Sequence, residues 1–187
     1  MRATLGAVLA GGASSRMGTD KASVLFPGVY PMAVEIAALL EPLADAVVLV
    51  RRAPSDEVWL ARDGAALAVI SDGEGETPHP LWGVAAALAH AGRGSVLFAP
   101  CDTPWLRSAD LSALLAAANE RGAVAMDASG RRSPLVAVYP ASRAEEARVA
   151  AREGRSASHF AEGCARVLLP DASLANLNAP EALRRSL

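Results

Sequence analysis

The stretch LAGGASSRMGTDK, Leu9 to Lys21, sets three glycines against two cations, Arg16 and Lys21. Its lysine is the only one in the chain; every other basic residue is arginine. Gly11 and Gly12 directly follow an apolar run. Glycine lets the main chain pass close to a ligand and adopt positive φ, and successive N–H groups in such a turn can form an anion nest. Arg16 and Lys21 add fixed positive charge. Two familiar phosphate motifs are absent: the glycine spacing is not GxGxxG, and Lys21 stands three residues past Gly18, which breaks the P-loop pattern. On spacing alone the stretch is either a phosphate-binding loop or a glycine-rich turn with solvated charges.

Three further clusters carry candidate chemistry. VLFAPCDTPWL places Asp102 at the end of an apolar run. A carboxylate there can hold Mg²⁺ beside a triphosphate, since Mg²⁺ takes one or two carboxylates plus phosphate oxygens; it can equally shape a turn before Pro104. VISDGEGETPHPLWGV gives a second acidic residue, Asp72, at the end of another such run. NLNAPEAL holds Asn176 and Asn178, two of the three asparagines, either of which could cap a helix beginning near Pro180. In RRSPLVAVYP, Arg131 and Arg132 either meet an anion or form an exposed turn. Cys101 reads as a small buried residue rather than a nucleophile. His79, His90 and His159 show no metal-ligand spacing and receive no chemistry.

These clusters need elements to position them. TLGAVLA, AVVLVR, ALAVIS and SVLFAP are short, unbroken apolar runs of strand length. They alternate with helical patterns at PMAVEIAALLEPL, LWGVAAALAHAG and ADLSALLAAANERG, the last two ending in glycine. Strands apolar on both faces and alternating with helices imply a parallel sheet covered on both sides. AVAMDA, the turn SGRR and PLVAVYP form an antiparallel excursion. The helix SRAEEARVAAREG, the strand ARVLLP and the helix APEALRRSL complete the chain. The expectation is a three-layer α/β/α sandwich, with a Rossmann-like, mainly parallel sheet of about seven strands. In such sheets ligands sit beyond the carboxyl ends of the strands, where Gly11, Asp72 and Asp102 all fall.

Bulk properties set the frame. A chain of 187 residues, 52% hydrophobic and 20% charged, makes one domain, 1–187, with a full core. A net charge of −2 provides no overall basic field for nucleic acid or anionic lipid. Two cysteines make no disulfide framework, which fits a reducing cytoplasm. No apolar run approaches the roughly twenty residues that span a membrane.

LAGGxSxRMGxDK resembles the signature loop of the nucleotidyltransferases that act on molybdenum cofactor, a branch of the sugar-nucleotide pyrophosphorylase-like superfamily. The resemblance continues in order through Asp72 with Pro80-Leu81-x-Gly83, through Pro100-Cys101-Asp102-x-Pro104, and through Asn176-x-Asn178-x-Pro180-Glu181. It implies transfer of GMP from GTP to the phosphate of molybdopterin, with release of pyrophosphate and with Mg²⁺ as cofactor. Leu9-Ala10-Gly11-Gly12 matches the guanylyl branch, whose cytidylyl counterpart tends to carry LAAG. The resemblance puts Leu9, Ala10, Gly11, Gly12 and Asp72 on the nucleotide, Arg16 and Lys21 on its phosphates, Asp102 on the nucleotide's metal, and Asn176 or Asn178 on the phosphate or metal side. A compact ammonium can follow phosphate oxygens as they move, whereas a guanidinium fork imposes one planar geometry; that accounts for the single lysine. GTP and molybdopterin are the implied substrates, with transient contact to other molybdenum cofactor proteins and no nucleic-acid or membrane partner. His79 and Trp82 depart from the family's GPLAG, and Ser133 replaces its usual Gln or His before Pro134-Leu135. Ser133 and Trp82 keep open CTP or another phosphorylated acceptor; a catalytically silent nucleotide-binding subunit is a separate alternative, against which the presence of both Lys21 and Asp102 argues. The missing GxGxxG disfavours a dinucleotide oxidoreductase.

Overall fold

The computed structural model describes residues 3–11, 21–25, 29–52, 58–72 and 78–177. Seven strands form one sheet in the order β3-β2-β1-β4-β6-β5-β7. They are β1 (Thr4–Leu9), β2 (Ala46–Arg51), β3 (Ala68–Ser71), β4 (Ser95–Pro100), β5 (Ala123–Met126), β6 (Arg132–Pro140) and β7 (Ala165–Leu168). β1 pairs in parallel with β2 and β4, β2 with β3, and β5 with β7. The antiparallel excursion is larger than a hairpin: β6 lies between β4 and β5 and runs against both.

Alternation along the strands explains the layers. Val8, Leu49, Leu97 and Ala99 point to one face, where they pack with Ile36 and Leu40 of α1 (Met32–Leu40) and Leu111 and Leu114 of α3 (Ser108–Ala117). Ala7, Val48, Val50, Val96 and Phe98 point to the other. There they meet Leu81, Val84 and Leu88 of α2 (Pro80–Ala91) and Ala147 and Ala151 of α4 (Ala144–Arg152). Successive strand residues face opposite ways, so an unbroken apolar run feeds two cores at once. A four-residue helix, α5 (Ala157–Phe160), seats Phe160 in the second core. The expected helix at 179–187 lies outside the described residues.

One helix end differs from expectation. α3 stops at Ala117, short of Gly122. Asn119 and Gly122 exchange backbone hydrogen bonds of 3.3 and 3.0 Å and form a separate turn. Gly122 has φ +108°, and a Cβ there would sit 2.0 Å from the Val138 carbonyl oxygen. This glycine therefore serves the entry into β5 rather than the end of the helix.

Candidate active site

The sheet reverses winding direction between β1 and β4, and a crevice opens at the carboxyl ends of those strands, the position where doubly wound folds bind ligands. Four backbone hydrogen bonds zip the candidate motifs along this edge. Asp72 N–H donates to Arg51 O (2.8 Å), Ala10 N–H to Val50 O (2.9 Å), Cys101 N–H to Leu9 O (3.0 Å) and Leu177 N–H to Asp102 O (2.8 Å). Segments far apart in sequence thus lie side by side. The order along the edge is the tip of β3, then β2, β1 and β4, and finally the chain near Asn176.

A cavity of about 590 Å³ follows this edge. Leu9, Ala10, Gly11, Asp72, Asp102 and Asn176 all line it, so the structure brings together every member of the proposed site whose side chain is described. Gly12, Arg16 and Asn178 lie outside the described residues, as does the side chain of Lys21. The Lys21 main chain opens a 3₁₀ turn, Lys21–Ser23, whose Ala22 is fully buried in the core beneath α1.

Gly11 is glycine because of close approach, not because of positive φ, which it lacks. A Cβ there would lie 3.0 Å from Asp72 Oδ2 and 3.3 Å from the backbone nitrogen of Arg52. Gly83 on α2 closes in from the other side, its Cβ position 3.7 Å from the same oxygen. Two glycines therefore make the slot that Asp72 occupies. Burial pushes the Asp72 carboxyl above its ordinary range, against the opposing pull of the Arg52 charge and of its own backbone N–H. Its Oδ1 is buried and accepts no hydrogen bond. An acceptor left in this state costs free energy until something donates to it.

Asp102 occupies the turn after β4. Thr103, 1% exposed, locks that turn by donating its hydroxyl to Pro100 O at 2.8 Å. The chain that brings Asn176 to the crevice is anchored from behind: Ala128 N–H donates to Asp171 (2.9 Å), and Ser173 hydrogen-bonds Asp110 of α3. Cys101 is buried, as a small apolar residue would be.

Sequence reading passed over two residues on the crevice wall. Arg52, directly after β2, lines the cavity beside Asp72; a look at the residue just past the tip of each parallel strand finds it. His79 also lines the cavity and caps α2, its Nδ1 accepting from Leu81 N–H at 3.2 Å. An Nδ1 that accepts leaves the proton of the neutral ring on Nε2. Trp82 N–H donates to His79 O (3.1 Å), and Pro80 has no N–H, so the first turn of α2 offers the crevice no open anion site.

A doubly wound sheet with Gly11 and two strand-tip carboxylates around one crevice places this chain among α/β proteins that bind ligands at the carboxyl edge of the sheet. The pattern of the MobA-like NTP transferase domain matches residues 6–167. A curated relative from Cereibacter sphaeroides, named molybdenum cofactor guanylyltransferase, is 38% identical over 97% of this chain and 94% of its own. The crystal structure of molybdopterin-guanine dinucleotide biosynthesis protein A from Archaeoglobus fulgidus shares the fold with a TM-score of 0.70, at 23% identity, over 97% of this chain and 96% of that one. So does 2-C-methyl-D-erythritol 4-phosphate cytidylyltransferase from Thermus thermophilus, with TM-score 0.68, 19% identity, and coverage of 100% and 97%. The chain belongs to the MobA-like NTP transferase family and is a nucleotidyltransferase.

Proposed function

We propose that this nucleotidyltransferase joins GMP from GTP to the phosphate of molybdopterin and releases pyrophosphate. The observation that carries the reading is the zipped carboxyl edge, which gathers Gly11, Asp72, Asp102 and Asn176 around one cavity. The 38% identity to a named guanylyltransferase supports the choice of nucleotide and acceptor.

An oxygen of the acceptor phosphate attacks the α-phosphorus of GTP in line. The new P–O bond forms as the bond to the β-phosphate oxygen breaks, and pyrophosphate leaves with the electron pair. No protein nucleophile is required, so catalysis is positioning and charge neutralisation. Gly11 and Gly12 let backbone amides approach the nucleotide. Arg16 and Lys21 neutralise the triphosphate. Asp72, on the crevice wall, offers its carboxylate to the nucleoside; guanine presents two adjacent donors, N1–H and the N2 amino group, where cytosine presents one amino group, and a carboxylate accepts two donors side by side.

The donor set suits Mg²⁺. Among the described residues no cluster of three or more Asp, Glu, His or Cys forms an all-protein cage. Asp102 and the amide oxygen of Asn176 on the crevice wall match a hard cation completed by phosphate oxygens. Asp102 would hold the ion, which when bound supplies Lewis-acid charge neutralisation at the phosphates.

The test is pyrophosphate release with GTP, Mg²⁺ and molybdopterin, run beside CTP and without acceptor. Release that requires both GTP and molybdopterin supports the reading. Release with CTP alone moves the activity to another base. Nucleotide binding with no release under any condition identifies a silent binding subunit.

A further inference from the structure

The two adjacent arginines of the β5–β6 turn have separate fates. Asp127 organises the turn: its Oδ1 accepts from Ser129 N–H (3.0 Å), Ser129 Oγ (2.6 Å) and Arg131 N–H (2.9 Å). Its Oδ2 takes Arg131 Nε at 3.1 Å. Arg131 is thereby committed to the turn, with its side chain 79% exposed. Arg132 opens β6 and is half-buried. Both arginines line the crevice, but only Arg131 is paired with a carboxylate among the described residues.

Topology fixes the side on which Arg132 stands. β6 runs against β4, with Phe98 opposite Ala137. The start of β6 therefore lies beside the end of β4, next to the turn that carries Asp102. Gly11, Arg52 and Asp72 lie on the other side, beyond the tips of β1, β2 and β3. Asp102 stands between the nucleotide half of the crevice and the Arg132 half. An in-line displacement needs this arrangement, with attacking and leaving groups on opposite sides of the reacting phosphorus. The acceptor must also bring a phosphomonoester, which carries about −1.5 to −2 charge near neutrality, up to a triphosphate that repels it. A guanidinium on the acceptor side offsets that repulsion and stays charged at every working pH.

We infer that Arg132 seats the phosphomonoester of the acceptor, while its neighbour Arg131, also on the crevice wall, is held to the turn by Asp127. This rests on the nucleotidyl-transfer reading and assigns the acceptor half of the same crevice.

The experiment compares wild type, Arg132→Gln and Arg132→Lys. Acceptor KM and kcat come from pyrophosphate release at saturating GTP and Mg²⁺, and the GTP dissociation constant from calorimetry. A charge-assisted hydrogen bond contributes enough that Arg132→Gln should raise acceptor KM about tenfold or more. GTP affinity should stay within about twofold, and Arg132→Lys should recover part of the loss. Equal weakening of GTP and acceptor would reassign Arg132 to the triphosphate and overturn the inference; an unchanged acceptor KM would overturn it as well. Inorganic phosphate, followed by phosphorus NMR line broadening without nucleotide, gives a readout independent of turnover. Broadening with wild type and Arg132→Lys but not with Arg132→Gln supports the seat even if molybdopterin proves not to be the acceptor. Equal broadening by all three overturns it, and failure of wild type to transfer GMP to molybdopterin is read separately as failure of the assigned reaction.

Discussion

Two charged groups withdrawn from solvent to different depths, the buried Arg143 and the partly buried Asp72, are satisfied to opposite degrees. Arg143, 6% exposed in its side chain, lies over the ring of Phe160 at 3.9 Å. It donates Nε and Nη2 to Glu146, each at 2.8 Å, and Nη1 to Arg121 O at 2.9 Å. It also reaches Phe160 O and the Cys164 thiol. Arg121 closes the group with its own 2.6 Å bond to Glu146. Each charge there has an internal partner, and the Glu146 carboxyl is held below its ordinary value, first by the Arg143 hydrogen bond. Asp72 is the reverse: partly buried, its pKa raised by that burial, one oxygen unpaired. A fold that satisfies its polar groups so fully at one end leaves an acceptor unpaired at the other at a cost to stability, and the residue that carries it lines the crevice. Unsatisfied groups of this kind cluster where a ligand completes them.

The contrast can be broken at several points. The largest expected effect is on turnover: Asp102→Ala should lower kcat by about 10²–10³-fold, the usual consequence of removing one preorganised electrostatic contact. Its melting temperature should stay close to that of wild type, and steady-state kinetics beside a thermal melt checks both. Arg143→Met should do the opposite. Stranding the partners of a buried ion costs about 3 kcal/mol, read by urea denaturation, with GTP affinity of the folded protein retained.

Asp72→Asn sharpens the comparison from the other side. A carboxyl whose pKa is raised on folding destabilises the fold when ionised, and stability recovers as pH falls through the raised value. Removing the charge should therefore stabilise the ligand-free protein at neutral pH. For a chain of this size each ~1 kcal/mol is about 2–4 °C in melting temperature, measurable by calorimetry. Glu146 gives the smallest effect and the opposite sign: its lowered value means that stability is lost as pH falls below about 4.5, its unfolded value. That acid-side slope should flatten in Arg143→Met.

Much of the arrangement is legible in the sequence because strand tips are local features. The runs ending at Leu9, Ser71 and Pro100 mark three parallel strands, and the residues after them are the crevice wall. The direction of β6 is not legible in the same way: Leu135–Tyr139 reads as an apolar run whichever neighbour it pairs with, and its place between β4 and β5 depends on both. Gly122 looks like a helix stop, yet its constraint is the distant Val138 carbonyl. Arg143 sits in a stretch that reads as an ordinary solvated helix; its burial depends on Arg121, Phe160 and Cys164, none of them near in sequence. His79 gave no metal spacing because its work is to cap α2.

The central claim is that the Asp72 carboxylate serves the nucleotide. The measurement that meets it most directly is the GTP dissociation constant of wild type and Asp72→Asn, taken with Mg²⁺ by titration calorimetry beside their ligand-free melts. A variant that melts higher yet binds GTP at least tenfold more weakly is the expected result, because unfolding cannot then explain the loss. A variant that binds GTP as tightly as wild type, or loses affinity only as its melting temperature falls, would contradict the account.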